Sequence, residues 1–140
     1  MSYRVRWIGS LRVPVDPRTA WGLFSRVEDW SRWDWLGSAD ARWVGEPAWQ
    51  PGGIVRMGHR PFTFDCEIIR VDAPHSVTWS GGGAGVSGVH TFRFLPDPGG
   101  CIVRSDEVFQ GLLVPFMRPL VRWYWHRHLR SFRGWCLTHG

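Results

Sequence analysis

The sequence predicts an α+β fold in which a curved antiparallel sheet of about seven strands wraps around one long C-terminal helix. Three observations predict it. Apolar and polar residues alternate near the N-terminus, turns rich in glycine and proline divide residues 38–111, and an amphipathic segment follows them. Because 140 residues suit one domain with a sizeable core, we expect a single domain over residues 1–140.

The N-terminal part is predicted to hold one strand and two short helices. Odd-numbered positions over Tyr3–Val15 are mostly apolar, with arginine and serine between them, which is typical of a half-buried strand. Asp16 followed by Pro17 indicates a helix start, because aspartate caps free backbone N–H groups and proline suits the first helical position. A second helical turn is expected over Glu28–Trp33.

The middle of the chain is predicted to be a meander of antiparallel strands. Turn-forming glycine and proline residues separate its apolar segments. We place the strands near residues 39–45, 53–59, 62–71, 76–80, 87–95 and 101–110. The stretch Gly83–Gly88 is expected to form a flexible hairpin loop, which would suit a mobile lip over a pocket.

The segment Pro115–Cys136 is predicted to be the one long helix. At about 100° per residue its apolar side chains share one face, with most of its arginines to one side and Trp123 on the polar side. His128 also falls on the apolar face, where an imidazole is either satisfied structurally or functional. The face comprises Val114, Met117, Val121, Tyr124, Trp125, Leu129, Phe132, Trp135 and Cys136.

The chain is basic but has no recognisable nucleic-acid footprint. Its net charge is +5 and all 17 cationic side chains are arginine, yet they are scattered from Arg4 to Arg133. We therefore expect no nucleic-acid partner. Apolar runs fall short of the roughly 18 residues of a membrane span, and the start lacks the apolar core of a signal peptide, so we expect a cytoplasmic protein.

Two motif-like patterns are interpreted as structural. Gly83, Gly85 and Gly88 match GxGxxG, but a dinucleotide site needs a helix to open at the glycines, and a strand follows instead. His126 and His128 stand two apart on a helix, where side chains point about 200° away from each other and cannot share a metal. The three cysteines are expected to be reduced, because they lack the CxxC spacing of a zinc site or redox pair. We predict no metal and no cofactor.

An inward-facing acid–base pair is predicted on two consecutive strands. Alternation puts His90 on the apolar side with Phe94, and Glu107 on the inward face of the next strand with Ser105. If the turn pairs Phe94 with Val103, His90 faces Glu107 directly, whereas a slip of two residues pairs it with Ser105. The pair either tunes the imidazole as a general acid or base or merely satisfies two buried groups, and Glu107 can instead reach water near the strand end.

The order of elements and several short segments resemble the START-like superfamily. These proteins are also called Bet v 1-like, SRPBCC, or polyketide cyclase/dehydrase and lipid-transport proteins. The segments behind the resemblance are Val13–Trp21, Trp30–Trp33, Pro51–Gly53, Val71–Trp79 and Glu107–Gly111. The resemblance covers nearly the whole chain and implies a helix-grip fold with a cavity for a hydrophobic ligand. It implies no shared catalytic motif, so function must be argued from the pocket.

The leading expectation is a cofactor-free enzyme of the polyketide cyclase/dehydrase kind, which positions an apolar small molecule and catalyses by proton transfer. The candidate catalytic residues are His90 and Glu107, with Tyr124 or His128 as a second proton donor. We expect the ligand to be bound by Trp33, Phe64, Trp79, Phe92, Phe94, Ser105, Phe109, Met117, Val121 and Trp125.

The alternative is a non-catalytic carrier or sensor of lipids or other apolar ligands. Membrane contact through the arginine-rich side of the last helix would suit it but is not favoured, and a monomer and a homodimer are both open. The lining of the cavity discriminates the two functions, because convergent ionisable groups favour catalysis and a purely apolar lining favours carriage.

Overall fold

Seven strands form one antiparallel sheet in the computed structural model, which describes residues 3–34, 38–46, 48–83 and 85–140. The strands are β1 (Tyr3–Val13), β2 (Arg42–Trp43), β3 (Ile54–His59), β4 (Phe62–Asp72), β5 (Ser76–Gly83), β6 (Val86–Asp97) and β7 (Gly100–Gly111). Their order across the sheet is β1-β7-β6-β5-β4-β3-β2, so β2 to β7 form the predicted meander and β1 pairs with its last strand.

Two short helices follow β1 and a long helix ends the chain, as predicted. They are α1 (Pro17–Phe24), α2 (Trp30–Trp33), which a 3-10 turn precedes, and α3 (Val114–His139). The Asp16 carboxylate caps α1 by accepting a hydrogen bond of 2.8 Å from the backbone N–H of Thr19, and this bond lowers the pKa of Asp16. Helix α3 lies against β1 and β7, and the arrangement is the expected α+β helix-grip fold.

The strand register confirms the predicted pairing of β6 with β7. Phe94 lies opposite Val103, and His90 lies opposite Glu107. The expected flexible loop at Gly83–Gly88 is wrong, because β5 runs to Gly83 and pairs there with Val86. Ala84 lies outside the described residues. Two glycines of this hairpin leave no room for a side chain: a Cβ at Gly82 would overlap the Val86 carbonyl oxygen, and one at Gly81 would lie 2.8 Å from Cys66 Sγ.

Aromatic residues fill one end of the space between the sheet and α3. The Phe24 ring lies 4.8 Å from that of Phe92, 5.5 Å from Phe94 and 5.7 Å from Phe132, centroid to centroid. These rings are all buried. The ends of β5 and β6 that meet at their hairpin lie beyond this core, and the space there is open. Within the described ranges, no helix combines the length and the apolar character needed to cross a membrane.

Candidate functional site

A cavity of about 540 Å³ opens between the β5–β6 hairpin, the β3–β4 hairpin and α3. Its walls are mainly apolar, and ionisable groups enter it from β6 and β7. Seven of the residues predicted for the site line this cavity: Phe64, Trp79, His90, Glu107, Phe109, Met117 and Trp125. The remaining lining residues described by the structure include Met57, Phe62, Cys66, Val86 and the glycines Gly81, Gly82, Gly83 and Gly88.

A broader groove of about 1160 Å³ lies beside the cavity, between β1 and α3. It shares Val86, Phe109 and Met117 with the cavity but includes neither His90 nor Glu107. Arginines of α3 line it, and so does Val121, which we had expected in the ligand site. The chemistry-bearing residues therefore belong to the smaller cavity.

The His90 imidazole is held between two side chains of β7. Its Nε2 lies 2.5 Å from the Ser105 hydroxyl, and its Nδ1 lies 2.9 Å from Glu107 Oε2. The second contact is at ion-pair distance but out of line for a hydrogen bond. Glu107 lies directly opposite His90 on the neighbouring strand, and Ser105 lies diagonally opposite. His90 therefore contacts both of the neighbours that the two alternative registers predicted.

Aromatic rings enclose this imidazole. It stacks on Phe92 with centroids 4.2 Å apart, and the Trp125 ring meets it edge-on, also at 4.2 Å. His90 is 2% exposed and Glu107 is 9% exposed. Because both ring nitrogens face β7, the group with the more open approach from the cavity is the Glu107 carboxylate. From the sequence we expected the opposite roles: the Glu107 carboxylate would orient the His90 imidazole, which would act as the acid or base.

A second buried polar cluster surrounds Asp34, which immediately follows α2. The Tyr124 and Ser38 hydroxyls each donate a hydrogen bond of 2.7 Å to Asp34 Oδ2. His128 Nδ1 lies 3.1 Å from the same oxygen. Burial by itself raises the pKa of Asp34, but the charge and hydrogen bonds of His128, Ser38 and Tyr124 outweigh it, and the pKa lies below its ordinary value. Burial, followed by the Asp34 charge, raises the pKa of Tyr124 well above its ordinary value.

The structure does not bring Tyr124 and His128 to the His90–Glu107 pair. Both belong to the Asp34 cluster and lie outside the cavity lining. Trp125 stands between the two sites, because its ring is 4.2 Å from that of His90 and 4.8 Å from that of His128. Neighbouring positions on a helix diverge by about 100°, so Tyr124 and Trp125 face different surroundings.

Four further residues predicted to bind the ligand lie elsewhere. Phe92, Phe94 and Trp33 belong to the aromatic core, and Ser105 lies beneath His90. Strand alternation correctly assigned Phe92, Phe94 and Ser105 to the inward face of the sheet, but other core side chains fill that part of the interior. Trp135, on the predicted apolar face of α3, stacks on His139 near the chain end.

Sequence reasoning missed Asp34 and Ser38. A signal was present: Asp34 stands four residues after Trp30, so it shares the buried side of that short helical segment. His126 is exposed to solvent, and its ring meets that of Trp7 edge-on. His128 is buried and contacts Asp34. The described residues contain no group of three potential metal ligands.

Comparisons with known proteins agree on the fold. The family model described as "Polyketide cyclase / dehydrase and lipid transport" matches residues 8–133. No curated protein sequence matches the chain. An uncharacterised protein from Rhizobium leguminosarum is similar in structure, with TM-score 0.82, 13% identity, and 99% of this chain and 98% of that chain covered.

Two further solved structures represent an enzyme and an Ara h protein. Norcoclaurine synthase from Thalictrum flavum, in complex with dopamine and hydroxybenzaldehyde, has TM-score 0.77 and 16% identity over 99% of this chain and 90% of that chain. Ara h 8.0201 has TM-score 0.75 and 12% identity over 98% of this chain and 100% of that chain. At these identities the likeness shows the shared fold alone.

Proposed function

The chain belongs to the polyketide cyclase / dehydrase and lipid transport family, and on that premise we propose that it binds an apolar small molecule in the cavity and catalyses a proton transfer on it. The proposed reaction class is the cyclisation or dehydration that we expected from the sequence, carried out without a cofactor. The observation that carries the proposal is the His90–Glu107 pair, which is almost wholly buried and opens into an otherwise mainly apolar cavity.

The geometry supports a division of labour within the pair. Glu107 lines the cavity, so its carboxylate would accept the proton from the substrate as the catalytic base. His90 would act as a positioning residue, because its ring nitrogens are directed to Glu107 and Ser105. The apolar and aromatic lining would lower the local polarity, which would strengthen the electrostatic interactions of the carboxylate.

The Asp34 cluster has a structural role in this proposal. The hydrogen bond from Tyr124 to Asp34 joins α3 to the segment after α2. Asp34, Ser38 and Tyr124 are not among the described residues that line the cavity. Tyr124 and His128, which we expected to donate a second proton, would then hold α3 in position and leave proton transfer to Glu107.

Carriage of an apolar ligand remains the second candidate function, and exposed rings at the cavity favour it. Phe62 lines the cavity and is 82% exposed, and Phe116, which precedes the lining residue Met117, is also 82% exposed. Large exposed apolar side chains commonly mark sites of association. A carrier would bind the same ligands without altering them.

The test uses an aryl ketone, 2-tetralone, whose C–H groups beside the carbonyl exchange with D₂O when a base removes their protons. Binding is followed by tryptophan fluorescence and exchange by proton NMR. Wild-type protein should bind the ketone and accelerate exchange, and Glu107→Gln should lower the rate by roughly 10²-fold. Glu67→Gln, the same change at an exposed position of β4, should leave the rate unchanged.

Two variants of His90 separate positioning from packing. His90→Phe should lower the exchange rate, because Glu107 Oε2 loses the polar group that lies 2.9 Å from it and holds the carboxylate in place. His90→Gln, which keeps a donor, should recover part of the rate. If the ketone binds but wild-type protein and Glu107→Gln exchange it equally, the catalytic function is wrong and carriage replaces it.

A further inference from the structure

The part of the cavity that the structure describes contains a negative charge that no arginine balances. Glu107 is the carboxylate among the described lining residues, and no arginine is among them. Arg118, Arg122 and Arg130 line the neighbouring groove instead. An anionic ligand would therefore bring its charge against a carboxylate with no arginine to receive it, which is costly in a site poor in water.

The two oxygens of this carboxylate have different surroundings. Oε2 is buried and faces the His90 ring. Oε1 lies beside Gly88, which also lines the cavity, and a Cβ placed on Gly88 would stand 3.0 Å from it. The absence of a side chain at Gly88 therefore leaves Oε1 open to a ligand.

Electron-rich rings surround the same space. Trp79, Trp125, Phe109 and Phe64 line the cavity along with Glu107. The faces of aromatic rings attract cations, and tryptophan does so most strongly. A carboxylate together with such rings is the chemistry that recognises an organic ammonium group.

We propose that the ligand is an apolar molecule that carries a protonated amine, with the ammonium group bound at Glu107 Oε1 and the apolar body along Trp79 and Trp125. This rests on the proposed function, because it names the substrate class of the same site. Proton transfer would then begin at the nitrogen: an N–H bond of the ammonium breaks, an O–H bond forms on Glu107, and the amine becomes neutral and nucleophilic.

The experiment compares three probes that share a naphthyl body: 2-naphthylethylamine, 2-naphthylethanol and 2-naphthylacetate. Dissociation constants are measured by tryptophan fluorescence and calorimetry at neutral pH. We expect the amine to bind roughly ten-fold tighter than the alcohol, because its hydrogen bond to the carboxylate joins two opposite charges whereas the hydroxyl is neutral, and the acetate to bind more weakly than the alcohol.

Two variants assign the preference to the carboxylate. Glu107→Gln should bring the amine and the alcohol to within about two-fold of each other. Gly88→Ala should weaken the amine more than the alcohol, since the added methyl group covers Oε1. The matched control, Glu67→Gln, should keep the wild-type preference.

The outcomes separate this inference from the function on which it rests. Equal binding of amine and alcohol to wild-type protein, or an amine preference that survives in Glu107→Gln, overturns the amine assignment while ligand binding stands. Binding of the acetate in preference to both overturns it as well. If none of the three probes binds, the amine assignment and the apolar cavity function both fail.

Discussion

Glu107 Oε2 lies 2.9 Å from His90 Nδ1, and the two residues occupy directly facing positions of β7 and β6. Each side chain is almost completely removed from water. A buried polar group of this kind depends on its polar neighbour, because removal of one partner leaves the other surrounded by apolar side chains. The pair is therefore expected to be coupled energetically as well as chemically.

A double-mutant cycle should detect this coupling. We expect His90→Phe alone to lower the free energy of unfolding by about 2–3 kcal/mol, because it leaves Oε2 without its neighbour. With Glu107→Leu in the same chain, the combined loss should fall short of the sum of the single losses by about 1–2 kcal/mol. Urea unfolding followed by circular dichroism measures each value.

The control cycle pairs Glu107→Leu with His75→Phe. His75 is exposed at the turn before β5, close to Phe94 and away from the Glu107 end of β7. Their effects should add within about 0.5 kcal/mol. Additivity in the His90 cycle as well would contradict energetic coupling of the pair.

The Tyr124 hydroxyl should resist ionisation. Its burial, the charge of Asp34 and its hydrogen bond to Asp34 raise the pKa of Tyr124 well above its ordinary value. The chain has two tyrosines, so a Tyr3→Phe variant leaves Tyr124 as the tyrosine that titrates. Near-ultraviolet absorbance should show no tyrosinate at about pH 10–11 until the protein unfolds.

The sign of the corresponding stability effect follows from that shift. A phenol whose pKa is raised by folding stabilises the native state fully below about pH 10, and the contribution is lost as pH rises through the folded pKa. Removal of the hydroxyl in Tyr124→Phe should therefore cost about 1–2 kcal/mol near neutral pH. A normal tyrosinate titration in the folded Tyr3→Phe protein would show that Tyr124 is not held by Asp34.

Local pattern was sufficient to predict the sheet and the register of its central hairpin. Alternation fixes which face a strand residue occupies, and the short turn between β6 and β7 then aligns His90 with Glu107. The Asp16 cap of α1 was predicted for the same reason, because the capping interaction is local. Each of these features depends on residues close in sequence.

Features that depend on distant packing were not predicted. Asp34 and Tyr124 are 90 positions apart, and their contact depends on how α3 crosses the segment after α2. Similarly, parity placed Phe92 and Phe94 inward, but whether such a face meets a ligand or other side chains depends on α1, whose Phe24 occupies the space. The glycine-rich composition of Gly83–Gly88 predicts a loop, because glycine is common in loops, but Gly83 and Gly88 are paired within β5 and β6.

The three thiols should be unreactive in the folded protein. Burial raises the pKa of Cys66 to about 12, that of Cys136 to about 12 and that of Cys101 to about 11. The thiolate is the nucleophile, so a disulfide reagent applied at about pH 8 should leave all three unmodified. After addition of denaturant all three should react. Rapid reaction of Cys66 in native protein would show that the cavity admits the reagent and that the thiol ionises there.

Asp34 should make the protein sensitive to acid. Its pKa is lower in the folded protein than its ordinary value, so the unfolded chain takes up a proton at a higher pH than the native protein does. The stabilisation is therefore complete above about pH 4 and is lost as pH falls through the folded pKa. Asp34→Asn removes the charge that His128 and the Tyr124 hydroxyl contact, and should lower the free energy of unfolding by about 2–3 kcal/mol at neutral pH.

Comparison of the two proteins across pH tests the sign of this effect. The difference in unfolding free energy between wild type and Asp34→Asn should be constant from about pH 6 to 5 and should shrink as pH falls below about 4, where Asp34 of the unfolded wild-type chain takes up its proton before the native protein does. Asp72→Asn, at an exposed position that ends β4, controls for the general effect of one carboxylate and should change stability by less than about 0.5 kcal/mol. A difference between wild type and Asp34→Asn that grows as the pH falls would mean that Asp34 is held protonated in the native protein, and the ionic contact with His128 would then be wrong.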